Sequence, residues 1–220
     1  MSAAPTRERI LDAAERTFAE RGGADGASMR DLAAAADVRL SQLSYYFGSK
    51  EALYRAVFAR RASALAEARS AALRLALAGS SVSMRDIVAA FIGPSVRQRF
   101  GEGVQGAAFA LLTAREAVDP REAVRGVLAE HFDPTASDFL AALAKMHPES
   151  SLAARVDAYL FMVGALVMTM SSGDRAARLD AERHNVSTAR NAELLLDHLT
   201  DFCAAGIDSL LAGEAGGRSG

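Results

Sequence analysis

The chain is 220 residues long, half of them apolar, with a net charge of −2 and a single cysteine, Cys203. That length and apolar content support a core larger than a minimal helical domain needs. A lone cysteine excludes an internal disulfide and points to a reducing cytoplasm, and near-neutral charge excludes a surface that coats nucleic acid by bulk attraction.

Taken in chain order, the first helix is expected from Thr6 as N-cap, with Ile10, Leu11, Ala14, Phe18 and Ala19 at helical spacing, to Gly22 and Gly23 as its stop. Ser28 with Asp31 three residues on forms a capping box and opens a short helix at Met29. Leu32 and Ala36 share one face of it, and Asp37 is the residue able to leave the helical region and make the bend. A second short helix is expected over residues 40–47. Leu43 and Phe47 are its inward positions, which leaves Arg39, Ser41, Gln42, Ser44 and Tyr45 facing out. A helix so thinly apolar is displayed for contact. The pair is a helix-turn-helix pattern, although two short helices taken alone more often form an ordinary hairpin that binds nothing.

Ser49 then caps a long helix from Lys50 to about residue 78, whose 28 residues span about 42 Å, enough for a rigid lever. Further helices are expected over 84–99, 104–117, 120–132, 135–146, 152–171 and 186–212, with Pro120 and Pro134 at or near helix starts. No strand pattern or internal repeat appears, so the fold class is all-α. The domain division is a DNA-binding head at 1–50, a helical body at 51–212 and a Gly-rich disordered tail at 213–220.

From Thr6 to Lys50 the chain resembles the N-terminal DNA-binding domain of the TetR family, in TRERILDAAERTFAERG, SMRDLAAAADV and the closing YYFGSKEAL. The resemblance implies a three-helix helix-turn-helix domain joined to a helical ligand-binding and dimerisation domain. It also implies a regulator, written as a repressor, that leaves a pseudo-palindromic double-stranded operator when a small molecule binds. Asp37 stands where the family usually has Gly, and Leu40 and Ser44 depart from common members, so no operator sequence carries over. By match to the family motif, Arg30, Arg39, Ser41, Gln42 and Ser44 are the candidates for base edges, with Leu40 for a thymine methyl. Ser28, Tyr45, Tyr46 and Lys50 are the candidates for phosphates. Residues 1–60 hold nine Arg or Lys against eight Asp or Glu, so affinity must come from a few placed contacts and two heads acting together.

In the body, Phe91, Phe100, Phe109, Leu112, Phe139, Leu143, Phe161 and Met162 supply more aromatic and thioether bulk than spacing two heads requires. They are the candidate lining of an effector pocket, with Arg97, Arg99 or Arg115 available to pair an anionic end. The C-terminal part resembles, more loosely, the fatty-acid-responsive branch of the family, implying a fatty acid, an acyl-CoA or another lipophilic effector. The apolar run at 159–170 is shorter than the roughly 20 residues a membrane span needs, so it is expected to be a buried helix, with no membrane partner. No charged leader with an apolar segment and cleavage site opens the sequence, which is the pattern of a cytoplasmic chain. Leu160, Gly164, Val167 and Met168 on this helix, and Leu195, Leu199, Phe202 and Leu210 on the last one, are the candidate dimer interface. The resemblance implies a four-helix bundle between two copies.

Two other classes compete. A small helical enzyme would need a catalytic or metal constellation, but His131, His147, His184 and His198 have no ligand spacing and no phosphate loop is present. No catalytic residue, metal or cofactor is expected. A helical ligand-binding protein without operator recognition would bind effector and ignore DNA.

Overall fold

In a computed structural model, residues 3–171, 179 and 192–217 are described, and every element among them is helical. In chain order these are α1 (Ala3–Arg21), α2 (Met29–Ala35), α3 (Leu40–Phe47), α4 (Lys50–Leu77), α5 (Met84–Gly101), α6 (Gly103–Val118), α7 (Glu122–Arg125), α8 (Val127–Met146), α9 (Leu152–Ser171) and α10 (Ala192–Gly217).

Four elements depart from expectation. Helix α1 begins at Ala3, so Thr6 lies inside it and is not its N-cap. Pro5 falls in the first turn, where its missing N–H has no helical partner to lose, so the helix starts upstream of it. The break expected at Asp133–Pro134 is absent: α8 runs through Pro134 to Met146. The interruption falls earlier, at Gly126, whose φ of 64° is a left-handed conformation that a side chain would strain. His131 and Asp133 are therefore mid-helix residues, and the His131 ring stacks on Phe58 with centroids 6.4 Å apart. Helix α10 continues to Gly217, beyond the expected stop at 212, because a formed helix gains a hydrogen bond for each residue added, even though each glycine costs about 1 kcal/mol. Residues 172–178 and 180–191, with His184 and the expected start of the last helix, lie outside the described residues.

Contacts divide the chain into two compact units, residues 1–64 with 98–131, and residues 65–97 with 132–220. The first unit holds α1–α3, the start of α4, and α6–α7. Ile10, Leu11, Phe18, Leu32, Leu43, Leu53, Val57, Phe58 and Phe109 are buried in its core. Phe18 meets Tyr54 edge-on at 5.1 Å, and Phe58 meets Phe109 at 5.5 Å. Two buried carboxylates of this unit, Glu15 and Glu116, are each paired with arginine. Glu15 of α1 accepts from Arg60 at 2.5 Å and from Arg61 at 3.3 Å, and Arg61 reaches Glu102 at 2.5 Å. Arg125 forks onto Glu116 at 2.7 and 3.0 Å.

The second unit packs the later part of α4 and α5 with α8, α9 and α10. Its core includes Leu73, Ile87, Val88, Phe91, Phe139, Leu143, Met162 and Leu166. Ser83 and Asp86 form a second capping box at the start of α5. Helix α9 buries Ala154, Ala158, Met162, Leu166 and Met170, a row at four-residue steps. The expectation that α9 is a buried helix is corrected here: only that row is inward, and Leu160, Phe161, Gly164 and Met168 are exposed. By length and mean hydropathy, 20 residues at 1.5, α9 also meets the criterion for a membrane span, with 22% of the window buried.

Candidate nucleic-acid interface

The α2–α3 pair is built by local sequence. Ser28 Oγ accepts the Asp31 amide at 3.2 Å and donates to the Asp31 carboxylate at 2.6 Å, while the Ser28 amide donates to that carboxylate at 2.9 Å. The Ser28 hydroxyl and then its amide hold the Asp31 carboxyl below its ordinary value, so it is ionised and aids the helix start. At the other end of α2, Asp37 adopts φ 51°. The Val38 amide returns to Ala33 O at 3.0 Å and the Asp37 amide to Ala34 O at 3.1 Å. This is a Schellman closure with Asp where Gly is usual, since Asp is one of the few residues that tolerates the left-handed region.

The turn aims α3 so that Leu43 and Phe47 are buried under it. Arg39, Leu40, Ser41, Gln42, Ser44 and Tyr45 are then exposed, with Tyr45 at 85%. Tyr46 is half-buried and packs edge-on against Tyr45 at 5.4 Å. Arg30 of α2 and Ser28 are exposed beside this face. Gln42 carries a local constraint that spacing did not reveal: its Oε1 accepts the Arg39 amide at 3.1 Å and so caps α3. Its amide nitrogen is the end left to donate. The Ser28 hydroxyl is likewise committed to the α2 cap, so a phosphate oxygen would compete with Asp31 for it. Lys50, half-buried at the start of α4, has Nζ 3.9 Å from Asp25, and Ser49 caps that helix by accepting the Ala52 amide at 3.1 Å.

Such a face offers the Arg39 guanidinium, two serine hydroxyls, an amide and a tyrosine on a short helix narrow enough for the major groove, with the Arg30 guanidinium of α2 beside it. The Asp31 carboxylate of α2 is turned back onto Ser28 and pairs Arg21 at 3.0 Å.

The residues expected to line a pocket are divided. Phe100, Phe109, Leu112 and Arg115 belong to the first unit, and Phe91, Arg97, Phe139, Leu143, Phe161 and Met162 to the second. In the second, Phe91 and Phe139 meet edge-on at 5.0 Å, and Leu143 and Met162 are buried. Phe161 is not with them; it is 67% exposed. Arg97 is exposed, Arg99 lies over its neighbour Phe100 at 5.2 Å, and Arg115 donates to the Ala19 carbonyl of α1. The expected dimer residues also differ in placement: Leu160, Gly164, Met168 and Phe202 are exposed, Val167, Leu195 and Leu210 half-buried, and Leu199 buried. Among the described residues no group of three His, Cys, Asp or Glu is placed to hold a metal.

Sequence reasoning missed Arg69. It falls on the row Ala62, Leu65, Arg69, Leu73 of α4, every member of which is buried. A cation on the apolar stripe of a helix was the available signal.

Comparisons with known proteins agree with the fold. The family described as bacterial regulatory proteins, tetR family, matches residues 10–57, and a tetracyclin repressor-like C-terminal domain matches residues 89–206. A putative TetR-family regulator from Rhodococcus sp. has 19% identity and a TM-score of 0.63, covering 94% of this chain and 99% of that one. The regulator FadR from Bacillus subtilis, in complex with stearoyl-CoA, has 15% identity and a TM-score of 0.66, covering 90% and 98%. The fatty acid degradation regulator FadR from Bacillus halodurans has 15% identity and a TM-score of 0.67, covering 94% and 98%. No curated protein matches the sequence.

Proposed function

This chain belongs to the TetR family of bacterial transcriptional regulators, and we propose that it acts as a cytoplasmic repressor: a homodimer that holds a pseudo-palindromic operator until a small apolar or amphiphilic molecule fills its body. Functionally, residues 1–50 form the head and 51–212 the body. The observation that carries the DNA reading is the outer face of α3, where six consecutive-turn residues are displayed while Leu43 and Phe47 pin the helix from below. Arg39 or Arg30 suits guanine in bidentate fashion, Gln42 suits adenine and Leu40 a thymine methyl. Lys50, Tyr45, Tyr46 and Ser28 set the register on phosphates.

Dimerisation through α9 and α10 is supported by the exposed apolar flank of Leu160, Phe161, Met168 and Phe202. A side chain at Gly164 would meet nothing within 4 Å in a single chain, which leaves room for the close approach of a second copy. A lipophilic effector is supported by the aromatic interior around Phe91 and Phe139 and by the fold shared with the stearoyl-CoA complex.

The test is selection of bound fragments from random duplex DNA, repeated with lipophilic compounds. Recovery of an inverted repeat, lost when a compound is added, is the expected result. A folded dimer that retains no duplex at low salt would leave a helical ligand-binding protein in place of a repressor.

A further inference from the structure

Arg69 lies in the second unit at 7% exposure, and its guanidinium is held without a carboxylate among the described residues. Its Nε–H donates to the Phe91 carbonyl at 3.1 Å and its Nη2 to Ser95 Oγ at 2.8 Å. The guanidinium carbon stands 3.8 Å from the Phe91 ring centroid and 5.5 Å from that of Phe132. Phe91 in turn meets Tyr159 at 5.5 Å. Of the five N–H donors a guanidinium carries, those on Nη1 and the second on Nη2 have no partner among the described residues.

Two neutral acceptors and two ring faces orient this cation, and no carboxylate among the described residues compensates its charge. Burial lowers its pKa to about 10, which still leaves it protonated at neutral pH. Carrying an unpaired charge inside an apolar helical body costs stability, and an apolar residue of the same volume would avoid that cost. Such a group is informative where a ligand supplies the missing charge.

We propose that Arg69 is the anchor for the carboxylate of an amphiphilic or aromatic acid bound in the body, an assignment that rests on the effector reading above and names the residue and head group. Two of the three unused donors, one on each Nη, lie in one plane, matching the two oxygens of a carboxylate. One negative charge balances one guanidinium, whereas a phosphate dianion would itself be left half-compensated among phenyl rings. A thioester brings no charge to Arg69, so the site selects the free acid over the same acyl chain on coenzyme A. The more exposed Arg97 and Arg99 are screened by water and are not the anchor.

The experiment is isothermal titration of the full-length protein with two matched pairs, palmitate against hexadecanol and 2-naphthoate against 2-naphthalenemethanol, with palmitoyl-CoA as a third arm. In the wild type at least one acid binds about tenfold or more tighter than its alcohol, as a charged hydrogen-bonded pair implies. Which pair shows the gap separates a fatty acid from an aromatic one, and palmitoyl-CoA tracks the alcohol. In Arg69→Met the acid falls to the level of the alcohol, the alcohol is unchanged, and the ligand-free melting temperature does not drop. Arg69→Lys retains part of the gap, and Arg97→Gln and Arg99→Gln retain all of it. An acid preference that survives Arg69→Met, vanishes in Arg97→Gln or Arg99→Gln, or is absent from a wild type that binds the alcohols, overturns the assignment and leaves the effector reading standing. Failure of every probe to bind the wild type overturns both. Should Arg69→Met not fold, the wild-type acid-to-alcohol ratio and the Lys variant decide.

Discussion

The phenol of Tyr54, on the first turns of α4, donates a 2.5 Å hydrogen bond to Glu116 of α6, and both side chains are buried. Burial, and then the Glu116 carboxylate beside it, push the Tyr54 phenol well above its ordinary range, so it stays a donor at any physiological pH. Arg125 completes the carboxylate's partners. Tyr54→Phe should cost about 1 kcal/mol and Glu116→Ala about 1–3 kcal/mol, because the second change strands two donors where the first removes one. Urea unfolding of both variants checks the order; a costlier Tyr54→Phe would show that the carboxylate is not the hub.

The proposed function gives Gln42 and Lys50 different parts on DNA. Gln42→Ala should lose about 1–3 kcal/mol at one base position and relax the preference there. It also removes the cap on the Arg39 amide, so a control is needed: Gln42→Glu keeps an acceptor for the cap and loses the donor for adenine. Lys50→Ala should weaken all sequences alike and flatten the salt dependence by about one unit per head. Fluorescence anisotropy across a salt series on matched and mismatched duplexes separates the two, and equal loss of specificity from both changes would mean the faces are wrongly assigned.

Asp37 holds the turn at a positive φ. Asp37→Val forces a β-branched residue into that region at a cost of about 1–2 kcal/mol. Asp37→Gly should be tolerated without loss of DNA binding. Thermal melts with gel retardation are the readout, and a harmless Asp37→Val would argue against the Schellman geometry.

Phe202 is 72% exposed on α10. If α9 and α10 meet their copies, Phe202→Glu should raise the dimer dissociation constant roughly 30-fold or more, the scale of a central aromatic contact. Light scattering at micromolar concentration should then report a monomer of unchanged helicity, while an unaltered dimer would place the interface elsewhere.

Among the described residues three carboxylates sit below their ordinary range: Asp119 beside the Arg121 side chain and amide and then Arg125, and Asp31 and Asp86 in their serine capping boxes. Each has a folded pKa depressed from about 3.9, so its contribution is complete above that value and is lost as pH falls through it toward the folded one. The melting temperature of Asp119→Asn should therefore lie below wild type at pH 6, with the gap starting to narrow only as pH falls below about 3.9 and closing only toward the much lower folded pKa. A gap that does not change with pH would assign the loss to packing.

The helix-turn-helix was legible along the chain because its determinants are local. Ser28 finds Asp31 three residues away, Asp37 closes α2 onto Ala33 and Ala34, and Leu43 and Phe47 repeat at helical spacing, so α3 ran over the expected residues. Helix ends followed the same rule where a side chain caps its own turn, as at Ser49 and Ser83. It failed at Pro134, where α8, buried at Phe132 and Thr135 before and after it, runs past a residue that would end an isolated helix.

Which distant groups meet was decided by packing. Glu15 and Arg60 are 45 positions apart, Tyr54 and Glu116 are 62, and Arg69 reaches Ser95 across 26. Nothing in the neighbours of a charged residue along the chain says whether burial will pair it with an opposite charge, as at Glu116, or with neutral groups among the described residues, as at Arg69. That is set only when helices from separate stretches exclude water from the same place.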